Sequence, residues 1–482
     1  MASLWIRGTR LPSHLGAWWT ATMRALLAGG TIAGRRLLNS ELESPSISTL
    51  QCHLFSVIYL CNASFQNMAH TTLALAVRTA HILGLHLEPP EDMPRTQREL
   101  RKRIWWTLYT VESKTCMKLG RPWSASDTIS TCQLPLDDSE LALQSGSNIA
   151  SYGDNVTWLT YTVLNTKLVL AAQETHVAFY HKYAEVLDAN YGQNLYTDPQ
   201  SLETCAKFLA LHMDSLQRWL RDVPQAMKTK RQDAGEPFST DHSALDVERY
   251  SPLWLQRQRL ILELLYHNLS MNLYRPFICF PSPAAQPSPI SSTPTVEAHA
   301  LSCVNHAISI TYILRQILMS TDILSGWYEA YQWQWNATLS IVGFILAYPA
   351  HPFTPSARSA IDSAITVFEA FGNNFAVAAS AANVTRDLTA KADFLSRRLT
   401  GTATGESLFL DGVDGFLQDD GGYNLANPIM SRMNEGPTMF QNTLAGAMGL
   451  ADNGDSLYSF EPLYAGSRYL ADLWGFSQVD PE

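Results

Sequence analysis

The chain has 482 residues, long enough to bury a large core in two to four domain-sized units. Hydrophobic residues make up 46% and charged residues 16%, the balance of a soluble, rather apolar globular protein. The longest apolar run, Leu339 to Ala350, is too short for a bilayer span of about 20 residues, and the net charge of −10 lies entirely beyond Gly405, where twelve acids face two bases.

Residues 1–45 are an atypical N-terminal segment with five arginines (Arg7, Arg10, Arg24, Arg35, Arg36) and three tryptophans (Trp5, Trp18, Trp19). It lacks the basic cap and apolar core of a secretory signal and is poor in serine for a transit peptide. The sequons at Asn62, Asn155, Asn268, Asn336 and Asn383 are therefore expected to stay unmodified. Ile47, Leu50, Leu54, Val57 and Cys61 form a helical stripe after Pro45, with Ser46 as its cap. Leu73, Val77, Ala80 and Leu83 predict a second helix that stops at Gly84, with Pro89-Pro90 beyond. Ile104, Leu108, Val111 and Thr115 continue the pattern on a third.

That third helix opens with Arg98, Arg101, Lys102 and Arg103. Clustered cations attract phosphate, but the body of the chain is neutral and no second basic cluster supports this one. A solvated face opposite Ile104, Trp105 and Leu108 is the simpler expectation. Trp105 and Trp106 stand about 100° apart on a helix, so they cannot share one pocket face. A core role is expected for at least one of them, its indole N–H bonded to backbone. Arg121, held by Pro122, suits a bidentate carboxylate pair or a lock on its own loop.

Leu83-Gly84-Leu85-His86, then Arg98 to Arg103 with Trp105-Trp106, then Gly120-Arg121-Pro122, then Leu134-Pro135 follow one another between residues 80 and 135. A long helix from Pro252 to Tyr274, with Ile261, Leu264, Leu265 and Leu269 on one face, ends in Leu273-Tyr274-Arg275-Pro276. This order closely resembles the middle homology region of fungal binuclear zinc-cluster transcription factors. The resemblance implies an all-α regulatory domain over residues 46–280, continued by helices at 296–400. It implies structural roles for Gly84, His86, Trp105, Trp106, Gly120, Arg121, Pro122, Arg275 and Pro276. It further implies action in the nucleus on transcription by RNA polymerase II, promoter DNA as the ultimate target, a homodimer or a full-length family partner, and control by nutrients or a small metabolite. The KLGRPW and QWQW wording points to activators of carbon-source utilisation genes.

The family's six-cysteine zinc cluster has no counterpart among the seven cysteines (Cys52, Cys61, Cys116, Cys132, Cys205, Cys279, Cys303), none of which stands in a CxxC pair. Zinc is thus implied for full-length members, and no cofactor is expected in this chain. Two other readings stay open: a DNA-free decoy or co-regulator of a full-length partner, and an all-α cytosolic enzyme. HExxH, the P-loop, GxGxxG and GxSxG are absent, which disfavours the enzyme.

Pro281 to Thr295 is a Pro/Ser linker with Ser282, Ser288 and Thr293 each before proline, where phosphorylation is an even alternative to mere composition. Within 296–400, the run Trp327 to Trp335 interleaves aromatics with Gln and Glu. Trp327, Tyr331, Trp333 and Trp335 are candidates for a metabolite pocket, or for an aromatic contact between helices. The tail, 401–482, alternates acids with bulky apolar residues, as acidic activation domains that dock on coactivators do; a solubilising or partly packed tail is the alternative. Its Gly454-Asp455-Ser456-Leu457 spells an esterase motif in the wrong context for catalysis.

Overall fold

The computed structural model describes residues 38–401, apart from 39, 63–64, 126–129, 145–155, 191–197, 249, 281–292, 325–326, 328 and 374–375. The first 37 residues, nearly all of the Pro/Ser linker, Ser282, Ser288, Ser456 and the acidic tail from 402 onward lie outside the described residues. Among the described residues there is no strand, and an isolated antiparallel bridge joins Arg231 and Leu245. The chain is all-α.

Three helices form the first unit: α1 (Ile47–Asn62), α2 (Gln66–Ile82) and α3 (Arg95–Leu119). Ser46 starts α1 as its sequence predicts. Its Oγ accepts from the Thr49 N–H at 3.2 Å, and Thr49 Oγ1 accepts from the Ser46 N–H at 3.1 Å, a reciprocal cap that satisfies two donors the helix would leave open. The predicted stripes meet in one core, where Leu50, Val57, Leu73, Val77, Ile104, Trp105 and Leu108 are buried together.

A second, larger core lies among α5 (Thr160–Ala189), α6 (Pro199–His212), α7 (Asp214–Asp222), α8 (Leu253–Tyr274), α9 (Pro294–Ser320), α10 (Glu329–Ala347), α11 (Thr354–Gly372) and α12 (Ala376–Gly401), with the short α4 (Ser139–Gln144) leading into them. Helix α8 is buried on nearly every side, as a central helix must be, with α9, α5 and α10 around it. The chain then packs in sequence, α9 on α10, α10 on α11, α11 on α12. Helix α3 joins the two cores. Its first half belongs to the first unit, and its second half lies on α5, where Ser113 Oγ donates to Gln173 Oε1 at 3.0 Å.

Periodicity alone says little between residues 136 and 251, although α5 is the longest helix described there. The reason is compositional: α5 buries Thr160, Asn165, Thr166 and Thr175 beside Leu164, Leu168 and Phe179, so its inward face does not read as an apolar stripe. Those hydroxyls satisfy themselves locally. Thr166 and Thr175 donate to carbonyls four residues back at 2.8 and 2.9 Å.

Candidate functional site

Helix α3 and the corners at its ends gather the sequence signatures. Gly84 and Gly120 do the same job on two helices. At the end of α2, Gly84 takes φ +65°, its N–H bonds the His81 carbonyl and the Leu85 N–H bonds the Ala80 carbonyl, both at 3.0 Å. At the end of α3, Gly120 takes φ +62° and the Arg121 N–H bonds the Cys116 carbonyl at 3.0 Å. Both are left-handed stops that a side chain would strain, and Leu85 and Ala80 supply the buried contact that goes with the first.

Each stop aims a loop back at α3. The His86 carbonyl accepts from the N–H groups of Thr131 and Cys132 at 2.9 and 3.2 Å and from Ser130 Oγ at 3.0 Å. The Trp106 indole N–H donates to the Gln133 carbonyl at 2.9 Å, the backbone bond expected for one of the tandem pair. Trp105 is fully buried and lies against the His81, His86 and Tyr109 rings. Leu134 packs on the same core, so the extended stretch 130–136 is strapped across α3.

Two members of the basic cluster, Lys102 and Arg101, depart from the expected solvated face. Lys102 is buried, with its ammonium 2.5 Å from Glu88 and 3.9 Å from Glu99. Those two carboxylates also accept the N–H groups of Gln133 and Leu136, each at 2.8 Å. Arg101 donates to the Leu83 carbonyl and so closes the C-terminal end of α2, where the helix dipole favours a cation. Lys102 and Arg101 thus tie the strap and the end of α2 to α3.

Arg121 locks its loop, but to an amide: its guanidinium donates to Asn67 Oδ1 near the start of α2, on the exposed side. The group that holds the corner after Pro122 is one the sequence reading missed. Glu112 is buried, its two oxygens accepting the N–H groups of Ser124 and Ala125 at 2.7 and 2.8 Å, while burial pushes its pKa up against those donors. Its signal was present, since an acid at position 112 sits within the apolar register of Leu108, Val111 and Thr115. Glu112→Ala is expected to remove about 2–3 kcal/mol of stability by stranding two backbone donors, whereas Arg121→Ala stays below about 1 kcal/mol. Urea unfolding of the two variants checks the order, and equal costs would contradict it.

The second half of α3 meets the aromatic run. Lys114 Nζ lies 2.9 Å from Glu329 Oε1, Lys118 donates to Gln332 Oε1, and Gln332 Nε2 donates to the Cys61 carbonyl at the end of α1. Burial holds the Lys118 amine below its ordinary pKa, with Glu329 pulling the other way. The faces of the run divide the labour. Tyr331 is buried against Phe368 and Phe371, and Trp335 lies against Phe368. Trp333 is buried in the larger core, and Trp327 packs half-buried at its edge. Gln334 is buried and donates to Thr311 and Thr338. The run therefore clamps α10 to α11 through its rings and to α1 and α3 through Glu329 and Gln332.

Arg275 and Pro276 end α8 in a 3₁₀ turn whose Phe277 is buried against Phe179 and His299. The Tyr348 hydroxyl donates to the Phe277 carbonyl at 3.2 Å, tying this turn to the end of α10. The structure thus brings Gly84, His86, Trp105, Trp106, Gly120, Arg121 and Pro122 around one helix and leaves Arg275 and Pro276 in the other core. Among the described residues no group of three or more His, Cys, Asp or Glu is arranged to hold a metal, and no helix is long and apolar enough to cross a membrane.

Comparison with known proteins follows the same helices. Residues 21–163 match the model of the fungal specific transcription factor domain, a stretch that contains α1 to α4 and the bonds that tie α3 to the end of α2 and to the strap. The chain is 41% identical over 365 residues to transcription factor asqA of Emericella nidulans, covering 75% of this chain and 64% of that one. It is 37% identical over 372 residues to the terreic acid cluster-specific transcription factor atF of Aspergillus terreus, covering 76% of this chain and 56% of that one. The oosporein cluster regulator OpS3 of Beauveria bassiana is more distant, at 24% over 318 residues. The chain thus spans less than two thirds of the length of the first two, and no solved structure matches it. It carries the fungal specific transcription factor domain, the middle region whose signatures its sequence displays.

Proposed function

We propose that this chain regulates transcription by RNA polymerase II in the nucleus, and that its targets are the genes of a biosynthetic cluster. The observation that carries this is the alignment with asqA and atF over about three quarters of the chain, which is longer than the domain match at residues 21–163. Two relatives are named for a cluster, which favours cluster genes over the carbon-source genes that the wording of the motifs suggested. Promoter DNA would be reached through a zinc cluster on a full-length chain or on a partner, with the helical body as a control module. The acidic tail would recruit coactivators, its charge keeping Phe409, Phe416 and Trp474 available in water. An activator of this kind needs no chemistry of its own. A metabolite effector acting near Trp327, Tyr331, Trp333 and Trp335 would have to loosen the α10 clamp.

Transcript sequencing in the source fungus tests this. Deleting the gene should silence a contiguous set of genes at least tenfold, and truncating the chain after residue 404 should do nearly the same. Losses scattered across the genome would overturn the cluster reading. A truncation without effect would overturn the role of the tail.

A further inference from the structure

Thr293 stands immediately before α9 and is followed by Pro294, the first residue of that helix. A threonine in this place ordinarily accepts the N–H groups two and three residues on, here those of Thr295 and Val296. It does not do so: the Thr293 side chain makes no capping bond. Glu203, from α6, has taken both donors. Its carboxylate accepts the Thr295 N–H at 3.1 Å, the Val296 N–H at 3.1 Å and the Thr295 hydroxyl at 2.6 Å. Glu203 is buried, and these donors together with the Lys207 ammonium 3.6 Å away favour its ionised form. Helix α9 therefore starts on a carboxylate borrowed from α6, and the half-buried Thr293 is released from the bond its position implies.

We propose that Thr293 is phosphorylated by a proline-directed protein kinase, and that the phosphate competes with Glu203 for the two N–H groups at the start of α9. In the transfer, Thr293 Oγ1 bonds to the γ-phosphorus of ATP as the bond to the β,γ-bridging oxygen breaks. ADP leaves, and the hydroxyl proton passes to a base of the kinase. Pro294 supplies the residue that a kinase of this class reads. The modification breaks no capping bond, since Glu203 makes that bond instead.

The consequence follows from charge. Phosphothreonine carries a charge of about −2 at neutral pH and offers three strong acceptor oxygens. One bond beyond the hydroxyl, those oxygens come within reach of the N–H groups of Thr295 and Val296, which Glu203 already holds. Two anions on the same donors repel strongly, because the buried one has little water to screen it. Lys207, whose side chain is 68% exposed, is able to follow whichever anion prevails. If the phosphate prevails, α6 loses its hold on α9 at Glu203, next to the bond that His299 Nε2 donates to the Ala206 carbonyl at 2.8 Å. Phosphorylation would thus weaken the larger core where the Pro/Ser stretch runs into it.

Two measurements on the full chain test this. Treatment with a mitogen-activated protein kinase and MgATP, followed by phosphopeptide mapping, should label Thr293, and Thr293→Val should remove that label. A chain carrying phosphothreonine at position 293, incorporated during synthesis, should melt about 2–4 °C below the unmodified chain. In Glu203→Gln, a neutral amide donates to the phosphate instead of repelling it, so the same modification should raise the melting temperature. That reversal of sign separates competition between two anions from the mere bulk of a phosphate. Label confined to Ser282 or Ser288, or no label at all, would overturn the site. A phosphothreonine that lowers the melting temperature equally in both backgrounds, or alters neither, would overturn the competition with Glu203. Neither measurement depends on the function proposed above.

Discussion

Glu263→Ala is expected to cost about 3–5 kcal/mol, the range for stranding one member of a buried ion pair. Glu263 sits at the middle of α8 with a fully buried side chain, and the Arg231 side chain that reaches it is 2% exposed. Its Oε1 takes both the Arg231 guanidinium and the Phe238 N–H, the latter at 2.8 Å. Arg231 also donates to the Ser243 carbonyl at 2.7 Å, and the bridge from Arg231 to Leu245 closes the loop between. That loop holds four non-glycine residues at positive φ, Asp233, Ala234, Phe238 and His242, a conformation that persists only where the surroundings enforce it. Without the carboxylate, an unpaired guanidinium and a free N–H remain in the core, and the loop loses its anchor. Urea unfolding measures the cost, and faster proteolysis within residues 229–247 should accompany it. Replacing both partners, Arg231→Met with Glu263→Leu, should restore most of the stability, since the pair is needed chiefly because each member is buried with the other. A cost below about 1 kcal/mol for the single variant would refute this account.

Acid should destabilise the fold well before carboxylates titrate. His267 on α8 and His306 on α9 face each other with their Nδ1 atoms 2.9 Å apart, so one ring donates and the other accepts. Burial holds His306 down to about 3 and His267 well below its ordinary value, with Arg231 and His242 adding positive charge beside the latter. The surrounding rings are Tyr266, Tyr274 and, beyond Tyr274, His299, and the nearest carboxylate on α8, Glu263, already answers Arg231. The sign follows directly. The unfolded chain protonates each ring near pH 6.5, while the folded chain resists, so the stability is complete above pH 6.5 and falls as pH drops toward 3. With a slope that rises toward about 1.4 kcal/mol per pH unit for each ring, the pair should contribute a loss of about 3 kcal/mol between pH 6.5 and 5. Replacing His306 by Leu should remove about half of that slope. A variant with the same pH profile as the parent would show that other groups carry the acid sensitivity.

Features governed by close neighbours were legible in the chain. Ser46 caps α1, Gly84 stops α2, and the stripes from Leu50 to Val57 and from Leu73 to Ala80 turn inward, because each depends on residues within one or two turns. The long helix to Tyr274 was legible for the same reason. The roles of charges were not. Arg101 and Lys102 read as a solvated face by spacing, yet their partners are the Leu83 carbonyl and Glu88, on segments that only the corner at Gly84 brings near. Helix α5 escaped notice because buried threonines interrupt its apolar pattern.

By itself, then, the sequence determined an all-α chain with sharp helix ends, a family signature between residues 80 and 135, and a tail holding all the excess acid. Capping, periodicity and net charge are local or additive, so they survive without knowledge of the fold. Only the tertiary structure decided what the polar groups do. Glu112 became the hold on the corner after Pro122, and the aromatic run became a clamp whose Glu329 meets Lys114 from 215 positions away. The free energy of a charge depends on whether burial has removed its water and which group has replaced it, and both are properties of the assembled core.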